Sequence, residues 1–241
     1  MHSSASHRHG EASEESNKET KGLIGSGGWR YDLTGWFHDT FSSRGTFREL
    51  RQRTANLAQL QPGEQVLDVG CGTGTLALIA KERVGSAGRV VGVDPGKEQI
   101  ARALKKAARR HVSIEFQVGV IEQIPFPDQT FDVVFSTLMM HHLPHPLKRQ
   151  GLAEIARVLK PGGRLVIADF KGKPERTGLA TRFHAGGSGM HDLVAIVSEA
   201  GFSQVETEEM QPPRFSAFPG AGIVLAYKSS DECVQAWEPR P

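Results

Sequence analysis

Three glycines at alternate positions, Gly70, Gly72 and Gly74, interrupt a run that is apolar on both sides, Val66-Leu67-Asp68-Val69 before and Leu76-Ala77-Leu78 after. The first side reads as a strand and the second as a helix, so the glycines mark a tight turn between them. Glycine accepts positive φ and lets a ligand reach backbone without meeting a Cβ. Free N–H groups at the helix opening, near Thr73 to Leu76, favour a carboxylate or phosphate there. Asp94 ends a second strand-like run, Arg89-Val90-Val91-Gly92-Val93, twenty positions after Gly74. That span takes a chain through one helix and back along a parallel neighbour, where a carboxylate can bond both hydroxyls of a ribose. It can equally cap the helix that starts near Pro95. A third stretch, Thr137-Leu138-Met139-Met140-His141-His142-Leu143-Pro144-His145-Pro146, leaves a later strand with two histidines. Histidine titrates near neutrality, so His141 or His142 can take a proton from a hydroxyl or thiol. The competing reading has His141 packed against a bound cofactor and His142 capping a turn. His184 and His191 are weaker candidates, and Met139 and Met140 suit a pocket or a core alike.

The elements that must position these groups follow from the periodicity. Strands are expected at 66–69, 89–94, 113–118, 131–136, 164–169, 203–210 and 222–228, with helices at 76–84, 98–111, 152–159 and 191–200. The alternation of strand and helix up to residue 169 predicts a parallel sheet with right-handed crossovers and helices on both faces. The last two strands predict an antiparallel edge pair. The fold class is therefore α/β, a doubly wound, mostly parallel seven-stranded sheet with an antiparallel edge and an N-terminal helical lid. Ligands in such sheets lie at the carboxyl ends of the strands, near the switch in strand order. Residues 1–27 are polar and charged and are expected as a disordered tail. Residues 28–61 form a lid within a domain of 28–228, and 229–241 form a flexible tail.

Composition narrows the function. The chain has 241 residues, 38% hydrophobic and 23% charged, with a formal net charge of +2. This fits one domain with ragged ends and offers no global field for nucleic acid. The basic side of the helix at 98–111 (Arg102, Lys105, Lys106, Arg109, Arg110) reads as a solvated face. Cys71 and Cys233 are the two cysteines, which disfavours a disulfide framework or a metal site and fits a cytoplasmic protein. No apolar run reaches the roughly 20 residues that span a bilayer. The opening residues do not read as a secretory signal.

Taken together, Val66 to Gly74, the strand ending at Asp94, the run Ile124-Pro125-Phe126-Pro127-Asp128-Gln129-Thr130-Phe131-Asp132-Val133-Val134 and the run Arg157-Val158-Leu159-Lys160-Pro161-Gly162-Gly163-Arg164-Leu165 closely resemble the class I S-adenosylmethionine-dependent methyltransferases. The nearest likeness is to the small-molecule branch with the ubiquinone/menaquinone-type enzymes, over about residues 29–228. The resemblance implies S-adenosylmethionine as cofactor, with backbone at Gly70, Cys71, Gly72 and Gly74 under its methionyl part. It implies Asp68 at the amino group, Asp94 at the ribose with Pro95 beside the adenine, and Ile121 packed on the adenine within the reading loop of Val120, Ile121 and Glu122. Ser136 and the residues after it would floor the sulfonium site, and Tyr31 matches a lid tyrosine. The sequence departs at Val120, where the family usually carries an aspartate that bonds the adenine amino group. Glu122, two residues on, could replace it only if the loop shifts.

The implied reaction is methyl transfer to a small, partly apolar acceptor, with no metal, nucleic acid or stable membrane insertion and a monomer or homodimer as the assembly. The Asn-bearing signature of the quinone enzymes is absent after strand four. The cysteine set of arsenite methylation is missing, and so is an Asn-Pro-Pro-Tyr run for amide methylation. A non-catalytic binding protein on this fold and a nicotinamide dehydrogenase are the alternatives.

Overall fold

The computed structural model describes residues 44–171, 190–211 and 220–229, with the side chains of 44, 190 and 191 outside the description. The expected tails, the aromatic stretch with Tyr31, and His184 lie outside these residues. The described elements are α1 (Arg44–Leu57), β1 (Gln65–Val69), α2 (Thr75–Val84), β2 (Arg89–Asp94), α3 (Lys97–Arg109), β3 (Glu115–Val118), β4 (Phe131–Thr137), a 3₁₀ turn (Met140–His142), α4 (His145–Val158), β5 (Leu159–Phe170), α5 (Met190–Glu199), β6 (Phe202–Met210) and β7 (Ala221–Lys228).

These strands form one seven-stranded sheet in the order β3-β2-β1-β4-β5-β7-β6. The pairs from β3 through β5 are parallel, while β7 runs antiparallel to both β5 and β6. The expected edge pair exists, with β6 outermost and β7 inserted beside β5. Strand order reverses between β1 and β4, which places the ligand-binding crevice at their carboxyl ends.

The sheet buries apolar side chains on both faces, as a parallel sheet must. One cluster joins Val66, Val133 and Phe135 of the sheet to Leu76, Ala77 and Ala80 of α2 and Leu50 of α1. The other joins Leu67, Val134 and Ile167 to Leu152 and Ile155 of α4 and Val197 of α5. The segment 44–57, within the expected lid, buries Phe47, Leu50 and Ala55 in the first cluster.

Two boundaries differ from the sequence reading. Lys160-Pro161-Gly162-Gly163, expected as the stop of a helix, is the opening of β5, with a register shift between Phe131 and Val133 on the partner strand. A proline and a left-handed Gly162 (φ 71°) are tolerated there because a bulge relieves the ladder. Helix α4 starts at His145, seven positions before the expected Leu152, because Pro146 sits in its first turn, where the missing N–H costs nothing.

Candidate functional site

The glycine turn is built as its composition requires. Gly70, Gly72 and Gly74 all have positive φ, at 72°, 52° and 72°. A Cβ at Gly70 would lie 2.6 Å from Met139 Cγ, and one at Gly74 would lie 2.6 Å from the Phe116 ring. These two glycines are needed for packing as well as conformation. Gly72 has nothing within 4 Å of a would-be Cβ, so its backbone faces open space. The turn is tied to β2, because Gly70 and Cys71 donate to the Val93 carbonyl at 2.8 and 3.1 Å. Burial, with Asp68 and Asp94 adding to it, pushes the Cys71 thiol up, which keeps it protonated. Lys106, expected on a solvated face, donates to the hydroxyls of Thr73 and Thr75 at 2.7 and 2.8 Å.

Asp94 takes the helix-capping role its position allowed and also ties down the glycine turn. Its Oδ2 accepts the Gly72 N–H at 2.9 Å, and its Oδ1 accepts the Gly96 N–H at 2.8 Å. Gly96 is the N-cap of α3, so the carboxylate fixes the helix start and the glycine turn together.

Asp68 is 1% exposed, and its Oδ2 has no hydrogen-bond partner. Burial pushes its carboxyl up to about 7; Arg51 and a bond from the Ala77 N–H pull the other way, and Asp94 adds to the rise. Ser136 Oγ, Thr137 Oγ1 and Glu122 Oε1 are likewise buried without partners. An orphaned buried acceptor is costly, and a ligand or an ordered water that supplies a donor relieves that cost. The buried oxygens of Asp68, Ser136 and Thr137 gather at the carboxyl ends of β1 and β4. They fit a ligand carrying an ammonium and several hydroxyls, as S-adenosylmethionine does.

The loop after β3 is held from α4. All five donor positions of Arg157 are engaged, to the carbonyls of Ile124 and Phe126 and the carboxylates of Asp128 and Glu154. Glu154 also accepts the Ile124 N–H at 2.9 Å. Ile121 is turned into the core, where a Cβ on Gly151 of α4 would lie 2.7 Å from it. Val120 is half-buried and bridges to Gln123. Pro95 follows Asp94 at the end of β2, half-buried.

On the α4 face of the sheet, Asp169 at the end of β5 organises the histidine stretch. It is 3% exposed. Its carboxylate accepts the backbone N–H of His141 at 2.9 Å and of Phe170 at 2.7 Å, and it lies 2.6 Å from His141 Nδ1. A carboxylate offers no proton, so Nδ1 is the donor in this bond. The His141 ring packs on His142 and Phe170, with centroids 3.8 and 4.9 Å away. Lys148 of α4 is 2% exposed; burial lowers its pKa, against the pull of Asp169 and Asp192. Leu138 has φ 56°, a strained value for leucine. It turns the chain out of β4 so that Met139 meets Gly70, which brings the histidine stretch beside the glycine turn.

Most of the expected site residues meet at this rim. Asp169 and Lys148 were not singled out from the sequence, and Thr137 stood only as the first residue of the histidine stretch. The signal for Asp169 was its place at the end of a strand one position over from β4. Among the described residues no cluster of His, Cys, Asp and Glu could hold a metal ion, and no helix is long and apolar enough to cross a membrane.

A methyltransferase domain family matches residues 66–163. The chain is 36% identical over 157 residues to an arsenite methyltransferase of Halobacterium salinarum, covering 62% of this chain and 40% of that one. It is 30% identical over 188 residues to the 27-O-demethylrifamycin SV methyltransferase of Amycolatopsis mediterranei, covering 73% of this chain and 67% of the relative. Among solved structures, an S-adenosylmethionine-dependent methyltransferase from Aquifex aeolicus superimposes with a TM-score of 0.59 at 26% identity, over 73% of this chain and 88% of that one. With the sheet order, the glycine turn and the orphaned acceptors at its rim, these likenesses establish that the chain belongs to the S-adenosylmethionine-dependent methyltransferases.

Proposed function

We propose that this chain methylates a hydroxyl or thiol on a small, partly apolar acceptor, with His141 as the group that takes the proton. The observation that carries this reading is the bond between His141 Nδ1 and Asp169, which directs Nε2 away from the carboxylate. The bound cofactor supplies an electrophilic methyl group on a sulfonium. Amines that arrive neutral need no base, whereas a hydroxyl or thiol becomes a good nucleophile only as it loses its proton. Asp169 holds the imidazole in the productive tautomer and stabilises the charge that forms on it. Met139 and Leu143, both half-buried, supply apolar surface close to it in the chain, while Met140 is buried in the core.

For the cofactor, backbone at Gly70, Cys71, Gly72 and Gly74 is assigned to the methionyl part, Asp68 to the amino group and Asp94 to the ribose. Pro95 and the loop of Val120, Ile121 and Glu122 are assigned to the adenine and Ser136 to the sulfonium floor. Tyr31, expected as a lid tyrosine, lies outside the described residues. The arsenite relative does not bring its acceptor here, because Cys71 and Cys233 are this chain's only cysteines and the Cys71 thiol is buried and pushed up.

The test is a screen of phenols, thiols, amines and carbon acids against purified protein, with His141→Gln in parallel. Calorimetric titration with S-adenosylhomocysteine accompanies it. The expected result is methylation of a phenol or thiol that falls by about 10²–10⁴ in His141→Gln, with S-adenosylhomocysteine binding retained. Equal rates in the two proteins would remove His141 from the chemistry, and a chain that binds NAD alone would overturn the reading.

A further inference from the structure

We infer that Thr137 is a second acceptor, beside Asp68, for the ammonium group of the cofactor's methionyl end. This rests on the cofactor assignment above and adds a residue to it. Strand parity sets which side chains share a face. Val66 pairs with Val133 and Asp68 with Phe135 across β1 and β4. Val66, Val133 and Phe135 all enter the core cluster of the α2 face. Side chains alternate along a strand, so Asp68 and Thr137 point to this same face, while Ser136 points to the other.

Thr137 is the last residue of β4, one pleat beyond Phe135, which places its Cα on the order of 8 Å from that of Asp68. The left-handed Leu138 follows immediately and carries the chain away, so nothing from β4 continues over the hydroxyl. Asp68 Oδ2 and Thr137 Oγ1 are both buried, and both lack a hydrogen-bond partner. Two orphaned acceptors on one face of neighbouring strands, at the switch in strand order, call for a ligand group with at least two donors. An ammonium has three donors and no acceptor, and it matches the negative charge of an ionised Asp68. The methionyl ammonium meets both conditions, whereas the sulfonium offers no donor and the ribose has Asp94.

The discriminating probe is 5′-methylthioadenosine, which has the adenine, ribose and sulfur of the cofactor but no amino acid. Its affinity and that of S-adenosylhomocysteine are measured for the full chain and for Thr137→Val and Thr137→Ser. Thr137→Val is nearly isosteric and removes an unpartnered hydroxyl, so the ligand-free variant is expected to melt no lower than the parent. Its affinity for S-adenosylhomocysteine is expected to fall on the order of tenfold, with 5′-methylthioadenosine unchanged and Thr137→Ser close to the parent. Unchanged binding of S-adenosylhomocysteine by Thr137→Val would overturn the inference, as would an equal loss for both ligands. Failure of the parent to bind either ligand would instead overturn the cofactor assignment itself.

Discussion

Asp68 and Asp169 stand at the carboxyl ends of parallel strands, almost equally buried at 1% and 3%, yet they are opposite cases. Asp169 has its donors inside the protein, two backbone N–H groups and the imidazole of His141. Asp68 keeps one oxygen without a partner, and burial pushes its carboxyl up to about 7. A buried carboxylate with all its donors in place fixes the geometry around it. One left short of donors costs stability until a ligand arrives. The surroundings of His141 are therefore preorganised before anything binds, while those of Asp68 are left for a ligand to complete.

The sharpest way to break this contrast is Asp169→Asn. The amide would have to face the backbone N–H groups of His141 and Phe170 while still accepting from Nδ1. The histidine is expected to lose its tautomer and orientation. Turnover should drop by about 10²–10³ with S-adenosylhomocysteine affinity nearly intact. A parallel loss of cofactor affinity would show that Asp169 supports the whole rim and not the histidine alone.

Asp94→Ala comes next, because Asp94 belongs to both cases. It already holds the N–H groups of Gly72 and Gly96, so its removal frees two partly buried donors. A stability loss of about 2–4 kcal/mol is expected, read by denaturant titration, together with loss of measurable cofactor binding. A variant that binds the cofactor normally would sink the ribose assignment.

Asp68→Asn should move stability the other way. The folded-state pKa of about 7 lies above the ordinary 3.8, so the folded state holds its proton longer than the unfolded one. Stability from this group is full below about pH 4 and is lost as pH rises to about 7. Each pH unit of that window costs about 1.4 kcal/mol. Asparagine removes the titration, so the ligand-free variant should gain up to about 4 kcal/mol over the parent at pH 8 and none at pH 4. Cofactor binding should weaken at the same time. A pH-independent difference between the two melting curves would show that Asp68 is not the strained group.

The contrast also explains what could be read from the sequence. The glycine turn, Asp68, Asp94 and the succession of strands and helices were legible because they lie in local runs with a fixed period. The one-position place of β7 between β5 and β6 and the early opening of β5 were not, since both depend on pairing at long range. Asp169 was hidden for the same reason. Nothing near it in sequence names His141, 28 positions away, and only the adjacency of β4 and β5 joins them. The basic side of α3 looked solvated because the two threonines that Lys106 bonds lie in another element. Thr137 reads as the first residue after a strand until the structure extends β4 to include it and parity with Asp68 is known.

The smallest expected effect concerns the loop after β3, where the family's usual aspartate is Val120. Val120 is half-buried, and Glu122 is buried with Oε1 unpartnered. Arg157 and Glu154 hold the loop at Ile124, Phe126 and Asp128, which opposes the shift that Glu122 would need to reach the usual aspartate's place. Val120→Asp is therefore expected to add the missing bond to the adenine amino group, worth about 0.5–1.5 kcal/mol, or roughly two- to tenfold in affinity. Calorimetry with S-adenosylhomocysteine and its inosine analogue, which lacks that amino group, checks it. The gain should appear for the first ligand alone. If Glu122 already makes this contact, Val120→Asp gains nothing and Glu122→Gln loses the same few-fold for the first ligand alone. The orphaned oxygen of Glu122 would then belong with that of Asp68, as an acceptor completed by the cofactor.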